Sequence, residues 1–292
     1  MRNLAKPSFD ARATFELCAD NVDDENLRER LKSVTDHIVT ADEVYADRGK
    51  QSTLFSIPES DNVGGKVTGA EMRKLYKSTF SKLNKPARDI YDQIRGAAKD
   101  ICPLCGHRVV GTLDHYLAQS RHPALAVTPL NLVPACTDCN KAKLAKQPDR
   151  AEDQTLHPYF DELGEDVWLV ATVEKKEPLA VRFKAEPPND WPDLKRRRLC
   201  KHFEVFELAK LYSIQAGVEL SQIRDRLHRR ALIGGPSAVR ESLEEDASSR
   251  KVVGPNSWQA AFYVALSESD WFCSEGFAKI ATTVRLNQVT GS

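Results

Sequence analysis

Four of the seven cysteines fall into two Cys-x-x-Cys hooks, Cys102-Pro-Leu-Cys105 and Cys136-Thr-Asp-Cys139. Four thiolates in this arrangement are the ligand set of a tetrahedral zinc site with no open position, so the ion would hold structure and do no chemistry. Gly106, directly after the first hook, lets the backbone turn back without a Cβ clash. A thioredoxin-like redox role needs one hook in a βαβ setting, whereas here there are two hooks and no such setting. Cys18, Cys200 and Cys273 stand alone and read as buried apolar fillers.

Thirty residues separate the hooks, more than the ~15–20 of an ordinary zinc ribbon. The insert carries Thr112-Leu-Asp114-His115-Tyr-Leu, a loop from Ala118 to Pro129, and Asn131-Leu-Val-Pro; Asn140-Lys-Ala-Lys143 follows the second hook. The expected order is a strand bearing Asp-His, a long loop, a short strand bearing Asn131, and a helix with Asn140 and lysines in its early turns. Taken singly, Asn131 reads as a turn residue and Asn140 as a helix-start residue. Their joint placement around the hooks is what singles them out.

The span from about Ile101 to Lys146 resembles the HNH endonucleases, ββα-metal nucleases with a zinc-ribbon staple. The family name implies a third histidine where this chain has Asn140, which places the resemblance with the HNN variants. It implies a phosphodiesterase in which His115 is the general base, with an imidazole able to take a proton from water near neutral pH. Asp114 and Asn140 would offer oxygens to a divalent cation, and an oxygen-only set favours Mg²⁺ or Mn²⁺. Asn131 would orient the loop and the base. Arg121, Lys141 and Lys143 would contact phosphates of a nucleic acid, with DNA the expected substrate and a 5′-phosphate and a 3′-hydroxyl the expected ends. Similar proteins serve as effectors in bacterial anti-phage and restriction systems, sometimes beside an ATPase, so a targeting partner of that kind is a further expectation. One geometric condition attaches: neighbours on a regular strand point to opposite faces, so Asp114 and His115 can share a site only if the strand bends or ends there.

The elements around this centre are read from periodicity. Leu27, Leu31, Val34 and Ile38 recur at helical spacing; Thr68-x-x-Glu71 is a capping box ahead of Met72, Leu75 and Tyr76; and Pro86 suits the start of a helix carrying Tyr91 and Ile94. Trp168 to Val173 and Leu179 to Phe183 read as a strand pair, and helices resume with Leu199, Phe203 and Phe206, then Arg224 to Arg230, Trp258 to Leu266 and Trp271 to Ile280. Glu241 to Arg250, acidic and serine-rich, reads as a solvated helix end or loop. The expected fold is α+β and mostly helical: a helical region over 1–84, the nuclease module with its zinc staple over 85–150, and a β-hairpin plus helices over 151–292.

Acidic and basic residues number 42 each, so net charge gives no long-range pull toward nucleic acid. Any such binding must come from a local patch, and the cysteine region (residues 95–150) and the helical stretch of residues 195–230 that begins Lys195-Arg-Arg-Arg198 are the two basic places picked out. No stretch approaches the ~18 apolar residues of a membrane span and no apolar leader opens the sequence, so the expectation is a cytoplasmic protein. A nucleobase deaminase is excluded, because that chemistry needs His-x-Glu ahead of Pro-Cys-x-x-Cys, whereas Tyr116-Leu117 follows His115 and Ala135 separates Pro134 from Cys136. The competing reading is a zinc-stapled scaffold that binds nucleic acid or protein without cutting. His37, His107, His122, His157, His202 and His228 read as ordinary hydrogen-bonding residues.

Overall fold

The computed structural model is α+β and mostly helical, and it describes residues 1–143 and 148–280. Lys146, at the far end of the resembling span, lies outside the described residues. Two compact units emerge, Met1–Leu163 together with Asp193–Phe206, and Gly164–Pro192 together with the chain from Glu207.

In the first unit, α1 (Ala11–Asp20) and α2 (Glu25–Lys32) are each opened by an aspartate, Asp10 and Asp24, whose side chain accepts a first-turn amide. Helix α3 spans Thr35–Lys50. Leu27, Leu31, Val34 and Ile38 are all buried, as their spacing demands, but two helices share the stripe instead of one. The break falls where the Ser33 and Thr35 hydroxyls donate to the carbonyls of Arg30 and Lys32 and so compete with the helical backbone.

A hairpin of β1 (Asn62–Val63) and β2 (Val67–Thr68) turns through Gly64 and Gly65, both at positive φ. Helix α4 (Gly69–Leu75) starts with the complete Thr68/Glu71 capping box and runs on into a π turn, Tyr76–Phe80. Helix α5 (Arg88–Gly96) begins two residues after Pro86, with Ala87 in the cap position.

Strands β3 (Thr112–His115) and β4 (Leu132–Ala135) pair antiparallel in the register Asp114↔Val133 and His115↔Leu132. The next element, α6 (Thr137–Lys143), completes a strand–strand–helix unit. Helix α7 (Asp193–Val205) packs in the same unit, with Phe206 buried just past its end. One core ties these pieces together: Phe15, Leu31, Ile38, Met72 and Phe80 cluster with Leu113 and Leu132 of the strand pair and with Ala126 and Val127 of the connecting loop. Phe80 is fully buried, so its truncation to alanine would cost ~3–5 kcal/mol.

The second unit holds β5 (Leu169–Glu174) and β6 (Ala180–Ala185), paired antiparallel with Val173 opposite Val181. Helix α8 (Leu208–Val253) breaks at Gly234 and Gly235, ahead of Pro236, and Gly235 takes φ +62. Its two arms fold back on each other, because Arg226 reaches both Ser242 and Asp246. The stretch Glu241 to Arg250 lies near the end of the second arm, a largely solvated helix end and not a loop, although it buries Ser242, Leu243 and Ala247. Helix α9 spans Trp258–Ser267. Trp271 to Ile280 is not one helix: α10 (Asp270–Ser274) gives way to a 3₁₀ turn where Gly276 sits tight against the Trp271 ring, with no room for a Cβ.

Of the three isolated cysteines, Cys18 and Cys273 are buried, whereas Cys200 is exposed. Helix α7 turns Arg198, Leu199, His202 and Phe203 inward, which leaves Cys200 on its outer side. Among the described residues no helix is long and apolar enough to cross a membrane.

Candidate active site and metal centre

The two hooks close on each other. The ligand atoms of Cys102, Cys105, Cys136 and Cys139 all lie within 4.8 Å of one another, and all four residues are buried. Four sulfurs at the usual zinc–sulfur bond length stand ~3.8 Å apart around a tetrahedron, so the cluster fits a metal such as zinc. The first hook is shaped by a bridge between Ile101 and Val109, a bond from Cys102 N–H to the Arg108 carbonyl, and Gly106 at φ +63. Backbone amides support the sulfurs on both sides: Arg108 N–H points at Cys105 Sγ and Cys139 N–H at Cys136 Sγ, each at 3.4 Å. The second hook opens α6, and Gly111 N–H donates to the Ala135 carbonyl, so the staple fixes β3, β4 and α6 against one another.

His115 closes strand β3, so the strand ends where the sequence required it to. Its ring is nearly buried, at 9% exposure, with the Tyr76 ring packed edge-on at 4.6 Å between centroids. Its Nε2 lies 2.8 Å from the Ala126 carbonyl oxygen. A carbonyl can only accept, so Nε2 carries the proton and Nδ1 the lone pair. Burial pushes the pKa down to about 4, partly offset by the Ala126 carbonyl and by Asp114, and the imidazole is therefore neutral at physiological pH.

Asn131, fully buried in a 3₁₀ turn directly before β4, holds the loop that carries Ala126. Its Oδ1 accepts from Leu117 N–H at 2.7 Å, and its Nδ2 donates to the carbonyls of Leu117 and Leu125 at 3.0 and 3.1 Å. The side chain thus braces both ends of the loop and touches neither Asp114 nor the imidazole by hydrogen bond.

Asp114 meets a cation supplied by the chain. Lys143 Nζ stands 2.8 Å from Asp114 Oδ2, 2.7 Å from the His115 carbonyl oxygen and 4.9 Å from the Tyr116 ring centroid. Both partners are mostly buried, with side-chain exposures of 14% and 12%. The Asp114 carboxylate and the His115 imidazole make no hydrogen bond to each other. Asn140 is half-buried one helical turn before Lys143, on the same flank of α6, and its side chain bonds to no other described residue. Lys141 is exposed. A cavity of about 330 Å³ opens beside Lys143, bordered also by Tyr116, Arg121, Gln154 and Lys201.

The other basic candidates are largely consumed by acids. Arg121 Nη1 contacts both carboxylate oxygens of Glu59, at 2.6 and 2.8 Å. In the run Lys195 to Arg198, Arg197 pairs with Asp193 and Glu152. Arg198 is buried, paired with both oxygens of Asp161 and bonded to the Gln154 and Thr155 carbonyls and Ser52. A buried guanidinium must be matched in this way, so Arg198 is structural and is withdrawn from the basic residues expected to welcome a phosphate backbone, whereas Arg197 pairs at the surface.

Sequence reasoning missed the Ala126 carbonyl and the rings of Tyr76 and Tyr116. Main-chain groups leave no residue-type signal, and Tyr76 is indistinguishable in sequence from the rest of an apolar stripe.

No family model matches the chain, and no solved structure matches it. Protein ea31 of Escherichia phage lambda is 26% identical over 294 residues, an alignment that takes in 93% of this chain and 99% of that protein.

Proposed function

We propose that the chain is a metal-dependent endonuclease of the HNH type, with His115 as the base that activates water for attack on a phosphodiester bond, in DNA by expectation. The observation that carries this reading is the bond from His115 Nε2–H to the Ala126 carbonyl. It leaves Nδ1 as the only proton-accepting nitrogen, on a strand–strand–helix unit held by four sulfurs. Nδ1 would take the proton from the attacking water, the new P–O bond would form, and the bond to the 3′-oxygen would break, that oxygen taking a proton from solvent water to give a 3′-hydroxyl. Asp114 fits a cation site because it already holds an ammonium, with Lys143 Nζ in the place of a positive ion. Asp114 and Asn140 would hold Mg²⁺ or Mn²⁺, which when bound supplies positive charge for the phosphate and the leaving oxygen. Asn131 acts through the loop, keeping the Ala126 carbonyl on the ring. The resemblance extends the proposal to an effector of anti-phage or restriction systems, working in the cytoplasm and targeted by a partner such as an ATPase.

The Asp114–Lys143 pair also favours a second reading, a zinc-stapled scaffold in which that ion pair is complete as it stands. Incubation with supercoiled plasmid and Mg²⁺ or Mn²⁺ separates the two. The nuclease reading expects nicked or linear product from the wild type and a loss of ~10²–10⁴-fold in His115→Ala, with zinc retained. Intact plasmid with either metal would leave the scaffold.

A further inference from the structure

A third basic stretch lies outside the two named above. Residues 66–88 hold Lys66, Arg73, Lys74, Lys77, Lys82, Lys85 and Arg88 against a single acid, Glu71. That acid is neutralised by Arg30, and Arg88 by Asp92. The other cations stay available: Arg73, Lys74, Lys77 and Lys82 form no ion pair with a described residue, and Lys85 only donates to the Asn21 carbonyl at 3.3 Å. Arg73, Lys74, Lys77, Lys82 and Lys85 line one open groove of about 750 Å³, whose lining also includes Asp23 and Asp24.

The groove's position gives this charge a meaning. The helix that continues from α4 through its π turn buries Met72, Leu75, Tyr76 and Phe80 while Lys74 and Lys77 stay exposed. Tyr76 is the ring packed on His115. An α-helix with its side chains is ~10–12 Å across, so the lysine wall lies about one helix width from the candidate base. A strand whose phosphate sits at His115 has further phosphates within that reach, since successive residues of one strand rise ~3.4 Å.

We infer that the groove lined by Arg73, Lys74, Lys77, Lys82 and Lys85 binds the phosphate backbone of the nucleic acid cut at the His115 site. The inference rests on the nuclease reading for the identity of the anion. It accounts for how a chain of zero net charge captures a polyanion: the groove gathers cations that form no ion pair with a described residue, while Arg121, Lys143 and Arg198 are committed to acids. Phosphates run along the five cations, and Asp23 and Asp24 in the same lining keep them to that side of the groove.

The test is fluorescence anisotropy with a labelled 30-base-pair duplex, using full-length His115→Ala without added Mg²⁺ or Mn²⁺ so that nothing is cut. Arg73→Gln/Lys74→Gln/Lys77→Gln and Lys82→Gln/Lys85→Gln are introduced into that background, with Lys251→Gln as a control. The inference expects the triple variant to bind at least ~10-fold more weakly near 0.1 M salt, with a salt slope smaller by ~2–3, at about 0.9 per lost phosphate contact. The double variant loses less, the control nothing, and zinc content and melting temperature stay constant. Unchanged affinity and slope overturn it. So does loss of binding to a polyglutamate peptide with duplex binding intact, which makes an acidic protein the occupant. If the wild type fails to cut plasmid while the groove variants still lose the duplex, the catalytic reading falls and the groove stands. If cleavage depends on His115 while duplex binding ignores the groove, the reverse holds.

Discussion

Lys143 Nζ lies 2.8 Å from Asp114 Oδ2, so the carboxylate proposed to hold a divalent cation already holds the chain's own ammonium. A metal ion at this carboxylate would compete with the lysine for its negative charge. Lys143→Met, which keeps the length of the side chain and removes its charge, is expected to tighten Mn²⁺ binding roughly fivefold, equivalent to ~1 kcal/mol of competing ion pairing. Asp114→Asn is expected to abolish that binding. Calorimetric titration with Mn²⁺ reads both, and equal affinity in wild type and Lys143→Met would sink the competition.

Asn131→Ala removes three hydrogen bonds and leaves the buried amide of Leu117 and the carbonyls of Leu117 and Leu125 without that partner. The expected loss of stability is ~2–4 kcal/mol in urea unfolding, with cleavage reduced because the Ala126 carbonyl is no longer held on the ring. A variant as stable as wild type would show that the loop does not depend on this side chain.

Cys136→Ser removes one sulfur from the buried cluster and the acceptor of Cys139 N–H. Metal binding and folding are coupled in small thiolate sites, so zinc should be lost and the strand–strand–helix unit should open. Metal content by atomic emission, together with proteolysis around residues 100–143, checks this. A zinc-free variant that resists protease equally well would contradict the staple.

His157 gives the pH dependence. Its Nδ1 accepts from Tyr159 N–H at 3.1 Å, so Nε2 carries the proton and faces Tyr45 Oη at 3.0 Å. Burial drives its pKa well below the ordinary value, and nearby Lys143, Arg198 and Lys6 push the same way. A group whose folded pKa is depressed takes its proton in the unfolded chain first, so stability is full above about pH 6.5 and falls as the pH drops toward the folded value. From pH 7.5 to 5.5 this one residue should cost the wild type ~1.4 kcal/mol relative to His157→Gln, which cannot titrate there. Urea midpoints at the two pH values measure it, and a constant difference between the two proteins would refute it.

Much of the centre is local and therefore readable in one dimension. The hook spacing fixes which sulfurs can converge, the Thr68/Glu71 pair fixes where α4 begins, and the order Asp-His, loop, Asn, hook fixes a paired strand followed by a helix. Competition between local preferences is harder to read, which is why one apolar stripe from Leu27 to Ile38 became two helices and Trp271 to Ile280 became a helix and a turn.

Charge was decided only in three dimensions. Whether a cation is free depends on an acid 29, 37 or 62 residues away, as with Lys143 and Asp114, Arg198 and Asp161, and Arg121 and Glu59. Counting along the chain cannot see those partners, because ion pairing follows from packing and not from sequence neighbours. The same holds for the proton on His115: the residue type supplies an imidazole, but only a carbonyl brought from the far side of a loop selects which nitrogen is left to act as a base.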